Sequence, residues 1–301
     1  MVTPNFFPAL SSTERRFSLV GLLRLITRQG FPRLLVSSYD LSLDRYPQAA
    51  ELLTLVNSYH ANGGLVMIDS GGFESFWKDD KAWNKDLHNR ILPKTKHDIQ
   101  MGFDLRPEDG IKLPISGAAS TSAIVLPVLH GGSPTELVSL AASLIEAQTN
   151  NQGIAVSERD CGRSLSEKAS TVNSLRDIMD RTDKRSILHI LGCGDLASIA
   201  LFAYLGADTF DSLTWLKFLI DEPNWQTRDF SQLDILKCEC PVCGLTRRRE
   251  YQEKVVLHNL NAYQEFLTRV RDWIKTGSIA TVLEDRLKMD PNRFTVKETM
   301  N

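Results

Sequence analysis

Apolar residues along this chain gather in short runs, separated by longer stretches in which they recur at helical spacing. The runs are RLLVSS (Arg33–Ser38), GLVMIDS (Gly64–Ser70), DIQMGFDL (Asp98–Leu105), AIVLPVLH (Ala123–His130), GIAVSE (Gly153–Glu158), SILHILG (Ser186–Gly192) and DTFDS (Asp208–Ser212). Between them, Tyr46–Ala61, Pro134–Thr149, Ser164–Thr182 and Asp195–Leu205 set apolar side chains three and four residues apart, the spacing of one helix face. The runs do not alternate strictly between apolar and polar, which suits parallel strands covered on both sides. Strand and helix thus trade places, and seven or eight such units in about 250 residues predict an α/β fold, a TIM-like (β/α)8 barrel. A doubly wound parallel sheet is the alternative. The expected division is a barrel domain over residues 1–230 and, over residues 231–301, an appended subdomain with C-terminal helices that carries the cluster Cys238, Cys240, Cys243 and His258, a set of ligands suited to zinc.

Composition narrows this picture only modestly. A chain of 301 residues with 42% hydrophobic positions can bury a core as one large domain or two ordinary ones. A formal net charge of -2 excludes a bulk polycation, so any grip on nucleic acid must come from a local patch. The opening MVTPNFFPALSSTERR lacks the basic start and apolar run of a secretion signal. The longest apolar region, Ile187–Ala207, is interrupted by His189, Gly192, Gly194 and Asp195, which argues against a membrane span. A cytoplasmic location is expected.

The densest chemistry lies near the C-terminus. Cys238, Cys240 and Cys243 fall within six residues, and His258 follows after fourteen more. Three thiols and an imidazole that close together suit tetrahedral zinc, and nothing in the spacing reserves an open coordination position, so a structural ion is expected. The other reading is cysteines packed as small hydrophobes beside a solvent-facing histidine. Cys161 and Cys193 are left over, too few for a disulfide framework.

Acidic residues mark the ends of several runs: Asp69, Asp104, Glu158 and Asp211. In a barrel all four reach the C-terminal mouth, where such folds carry their chemistry. Glycines at 71 and 72, 131 and 132, and 192 and 194 fall in the same loops, where a flat ligand can approach the backbone. Any one of these carboxylates would as readily cap a helix or anchor a loop.

Taken together, these motifs resemble the tRNA-guanine transglycosylase superfamily. IDSGGFESF is similar to its DSGGFQ motif, GFDL to its second aspartate loop, VLHGG to its QGG loop and GIAVSE to its GGLAVGE loop. ILGCG and FDSLTW resemble the LMGVG strand end and the nucleophile strand, and the cysteine cluster with HNL closes the match, all in family order. The resemblance implies exchange of a guanine in a nucleic acid for a 7-deazaguanine base. Asp211 would be the nucleophile at the sugar C1′, forming a glycosyl ester, and Asp69 the general acid and base. Asp104, Ser70, Gly71, Gly72, His130, Gly131, Gly153, Ile154 and Glu158 would surround the base, with His130 where the family has Gln. Zinc would sit on Cys238, Cys240, Cys243 and His258.

The chain also departs from that pattern. Glu74 replaces the Gln of DSGGFQ, while Gln152 and Ser157 replace two glycines of GGLAVGE. The stretch after the nucleophile reads LTWLKFLIDEPNWQTRDF, without the PTRxxRxG stretch of bacterial tRNA enzymes, and the chain is short. These features favour the DNA-modifying branch, with tRNA as the alternative polymer. Arg247, Arg248 and Arg249, with Lys254, form the dense basic run that suits phosphates; a solvated helix face is its other reading. Phe73, Phe76, Trp77, Trp215 and Trp225 are candidate stacking residues. A DNA substrate would call for a partner that opens the duplex, and a second copy of the chain is a further candidate partner. A non-catalytic nucleic-acid-binding subunit and a hydrolase that passes the sugar to water stay open as other classes.

Overall fold

The computed structural model describes residues 3–103, 123–147, 152–182, 185–244 and 250–295. The chain divides into two compact units, residues 7–128 and residues 1–6 with 129–301.

The first unit runs from β1 (Asn5–Leu10), whose first two residues are counted with the second, through α1 (Leu19–Gln29), β2 (Arg33–Ser37), α2 (Ala49–Ala61), β3 (Leu65–Asp69), α3 (Gly72–Trp77), α4 (Lys85–Ile91) and β4 (Ile99–Met101) to β5 (Ile124–Leu126). Each strand pairs in parallel with the next, and the register sets Ser37 of β2 beside Asp69 of β3. β1 and α1 do not figure among the runs and stretches read from the sequence. α1 is nevertheless well specified: Ser18 accepts from the Gly21 amide at its start, Gly30 ends it at φ 68°, and Leu19, Leu22, Leu23 and Ile26 bury one face.

The second unit runs β6 (Val128–Leu129), α5 (Pro134–Ala147), β7 (Gly153–Ser157), α6 (Leu165–Met179), β8 (Ile187–Leu191), α7 (Leu196–Tyr204) and β9 (Thr209–Ser212). It continues with α8 (Thr214–Lys217), the hairpin β10 (Leu219–Asp221) and β11 (Gln226–Arg228), and the helices α9 (Tyr251–Thr276) and α10 (Ile279–Leu287). Strands β6 to β9 again neighbour one another in chain order, with β7, β8 and β9 parallel. AIVLPVLH, read as one strand, is split into β5 and β6 because Pro127 has no amide to give a ladder.

In both units strands that follow one another in sequence are neighbours in space, without the reversal of order that defines a doubly wound sheet. The chain is an α/β protein of the (β/α)8 barrel class. Strand cores are apolar on both sides: Val66, Met67 and Ile68 of β3, Ile154, Ala155 and Val156 of β7, and Leu188 and Ile190 of β8 are all fully buried. Among the described residues no helix is long and apolar enough to cross a membrane.

α9 ties the second unit together. His258 and Asn259 are buried on it, and the Asn259 amide donates to the carbonyls of Trp215 and Phe218 while accepting from the Ile220 amide at 2.8 Å. Tyr263 stacks on Phe6 with ring centroids 4.0 Å apart and donates to the Gly194 carbonyl at 2.6 Å. One helix thus holds both the segment after β9 and the loop after β8.

Candidate functional site

Asp211 lies in β9, almost wholly buried. Its Oδ1 takes two hydrogen bonds, one from His189 Nε2 at 3.1 Å and one from the Gly192 amide at 3.2 Å. Gly192 sits at φ 74°, a backbone that favours glycine, and so aims that amide at the carboxylate. Among the described residues Oδ2 takes no hydrogen bond. One oxygen of the carboxylate is thus anchored. The sequence marked His189 only as a break in an apolar region and not as a site residue; its signal is that same polar residue in the middle of an apolar strand.

Around the same strand ends, His130 follows β6 and its Nδ1 lies 2.6 Å from Asp160 Oδ2, joining two loops. Glu158 follows β7 and accepts from Lys168 of α6 at 2.9 Å. Ser157, Glu158, Arg159, Gly162, Lys168, Leu191 and Gly192 line a cavity of about 470 Å³. Gly192 belongs both to this cavity and to the clasp on Asp211. Gly131 packs against α5, where a Cβ would come within 2.7 Å of the Leu137 nitrogen. Gly153 and Ile154 open β7, several residues before Ser157, and at about 3.3 Å per residue that puts them at the other end of the strand. The structure does not bring them to the end that carries Asp211 and Gly192.

In the first unit Asp69 closes β3, and its Oδ2 accepts from the Gly71 amide at 3.2 Å. Gly71 has φ 86°, and a Cβ there would meet Trp83 Nε1 and Tyr39 Cβ, each at 2.8 Å. Ser70 is held through its carbonyl, which accepts from Ser38 Oγ and Trp83 Nε1, both at 2.9 Å, and its Oγ takes the Gly72 amide at 3.3 Å. Because Ser38 gives its proton to that carbonyl, the 2.8 Å contact with His88 Nδ1 is a bond donated by the ring.

Glu74, the departure from DSGGFQ, is buried in this unit and takes a 2.5 Å bond from Ser11 Oγ. Burial, then the negative charges of Asp40 and Asp69, push its carboxyl up to about 8. Asp40 is fully buried, takes Ser12 Oγ and the Ser12 amide at 2.8 Å, and is itself raised by burial. Lys78 Nζ stands 3.9 Å from it.

The aromatic candidates separate. Phe76 and Trp77 are 76% and 65% exposed, with Phe73 beside them, whereas Trp215 is core and Trp225 packs on Phe266 and Trp273. Asp104 and the run Arg247, Arg248 and Arg249 lie outside the described residues, and Lys254 is half-buried in the first turn of α9.

Cys238, Cys240, Cys243 and His258 converge as their spacing predicts. The three Sγ atoms stand 3.4, 3.6 and 3.5 Å from His258 Nδ1, and all four ligand atoms lie within 4.8 Å of one another. Metal–sulfur and metal–nitrogen bonds of about 2.3 and 2.0 Å at a tetrahedral centre demand separations of that size, so the donor set fits a metal ion. His258 Nε2 donates to the Ile220 carbonyl at 2.9 Å, which turns the Nδ1 lone pair toward the thiols. The amides of Cys240 and Cys243 point at the sulfurs of Cys238 and Cys240, each at 3.4 Å, and support thiolate charge.

A parallel α/β barrel-class fold, a clasped aspartate on a late strand and a Cys3His cluster fit for a metal ion on the segment that follows together mark out one class of α/β-barrel protein. Residues 115–292, more than half of the chain, match the family model described as queuine tRNA-ribosyltransferase, and the chain belongs to that family. Among similar proteins are the tRNA-guanine(15) transglycosylases of Sulfolobus acidocaldarius, 21% identical over 97% of this chain and 63% of the relative, and of Pyrococcus abyssi, 22% identical over 97% and 53%. That of Thermococcus kodakarensis is 27% identical over 97% of this chain and 54% of its own length. The chain thus spans between about half and three-fifths of the curated relatives it matches.

Proposed function

We propose that the protein is a guanine transglycosylase that exchanges a guanine of tRNA for a 7-deazaguanine base. The observation that carries this reading is Asp211, whose Oδ1 is clasped by His189 and Gly192 while Oδ2 stays unengaged among the described residues. Oδ2 attacks C1′ of the ribose, and the C1′–N9 bond breaks with its electron pair leaving on guanine. Asp69 supplies a proton to the departing base and takes one from the incoming base, which then attacks C1′ and returns the pair to Asp211. Two displacements at one carbon preserve its configuration, the logic of a retaining glycosidase. The cavity beside Gly192, with Glu158 and Lys168 on its wall, would receive part of the base.

Zinc on Cys238, Cys240, Cys243 and His258 would hold the segment around β10 and α9 and take no part in the displacement, because four protein ligands complete its coordination.

The polymer is the point on which sequence and relatives part. DNA was favoured by what the chain lacks after its nucleophile strand; relatives matching along 97% of the chain are named for tRNA, and that is the stronger support. Denaturing electrophoresis tests both levels. Wild-type protein with tRNA and guanine should give a slow-migrating covalent adduct, and Asp211→Asn none, since an amide cannot form the ester. An undiminished adduct in Asp211→Asn would remove that residue from its role, and an adduct with DNA but not tRNA would restore the DNA reading.

A further inference from the structure

His189 occupies the centre of β8, fully buried, in register with Thr209 of β9. Both ring nitrogens are engaged: Nδ1 lies 2.8 Å from Thr209 Oγ1 and Nε2 lies 3.1 Å from Asp211 Oδ1. Asp211 Oδ1 already accepts from the Gly192 amide and accepts from the ring as well, so Nε2 carries the hydrogen while Nδ1 meets the Thr209 hydroxyl. Turning the ring over would break both bonds inside a packed core, which makes His189 a donor of fixed direction.

We propose that His189 is a positioning residue for the nucleophile: it locks Oδ1 of Asp211 and thereby presents Oδ2 to the sugar C1′. The inference rests on Asp211 being that nucleophile. As the Oδ2–C1′ bond forms and the C1′–N9 pair leaves with guanine, Oδ1 becomes the carbonyl oxygen of the ester. When the incoming base breaks that ester, negative charge returns to the carboxylate, and the His189 N–H is already in place to receive it, with no reorganisation. The Gly192 amide shares the task but belongs to the loop after β8, whereas His189 ties Asp211 directly to the strand core.

Two amide replacements separate this role from simple core filling. In His189→Gln the side-chain N–H stands where Nε2 stood and can reach Asp211; in His189→Asn it stands where Nδ1 stood and can reach only Thr209. Both keep a polar group in the same buried place. Exchange of labelled guanine into tRNA should fall about 100-fold in kcat for His189→Asn, with KM for guanine unchanged, the loss expected from a misaimed reacting atom. His189→Gln should recover most of it. Equal kcat in the two variants, or a loss in His189→Asn that appears in KM alone, would overturn the inference. Asp211→Asn, run alongside, keeps the two claims apart: an adduct there would sink the nucleophile reading itself.

Discussion

The neighbourhoods of Asp69 and Asp211 surround the same residue type with opposite kinds of group. Around Asp69 the first unit gathers carboxyls: Asp40 and Glu74 are both buried, Glu74 is raised to about 8, and the amide that reaches Asp69 comes from its own loop. Around Asp211 the second unit gathers donors instead, the His189 ring and the Gly192 amide on a single oxygen. Crowded acids resist losing their protons, as the raised Glu74 carboxyl shows. Under the proposed function the first neighbourhood would serve the group that passes a proton and the second the nucleophile, the way unlike environments divide acid and base roles.

The largest effect that would sharpen the contrast lies in the metal cluster, which belongs to the Asp211 side alone. His258 bonds the Ile220 carbonyl and its neighbour Asn259 bonds the Trp215 and Phe218 carbonyls, so the cluster and the segment after β9 share one anchor. Cys240→Ser should lose about one zinc per chain and several kcal/mol of stability, because thiolates gathered for an ion repel one another without it. Metal analysis with thermal melting checks this, and metal-free wild-type protein of undiminished melting temperature would count against it.

A smaller loss is expected on the other side. Asp69→Asn should slow guanine exchange by about 10²- to 10⁴-fold, the worth of a positioned general acid, while polymer binding measured by filter retention changes little. Exchange at the wild-type rate would strike Asp69 from the proton-transfer role.

The smallest effect concerns Glu74. Its folded-state value of about 8 lies above the ordinary 4.5, so between those values the native state holds more protons than the unfolded chain. Stability from this group is therefore complete below pH 4.5 and is lost as pH rises toward 8. Glu74→Gln, which cannot ionise, should melt with a flatter pH dependence and gain on wild type as pH rises, by on the order of a few kcal/mol at most. Parallel melting curves for the two proteins from pH 5 to about pH 8 would break the contrast drawn between the two aspartates.

What the sequence by itself determined is whatever depends on neighbours along the chain. Seven apolar runs were legible because burial on both faces leaves a local record, and the Cys3His cluster because all its ligands fall within 21 residues, Cys238 to His258. β1 was missed because Pro8 stands in the middle of NFFPAL and argues locally against a strand. Tertiary structure alone decided the partners: that His189 faces Thr209 and Asp211 follows from pairing β8 with β9, twenty-odd residues apart, and that the Glu74 carboxyl is raised follows from its burial and from Asp40 being brought beside it by the turn after β2. Hydrophobic periodicity is set by each segment's own burial, whereas a hydrogen bond or a shifted proton affinity is set by which segments fold against each other.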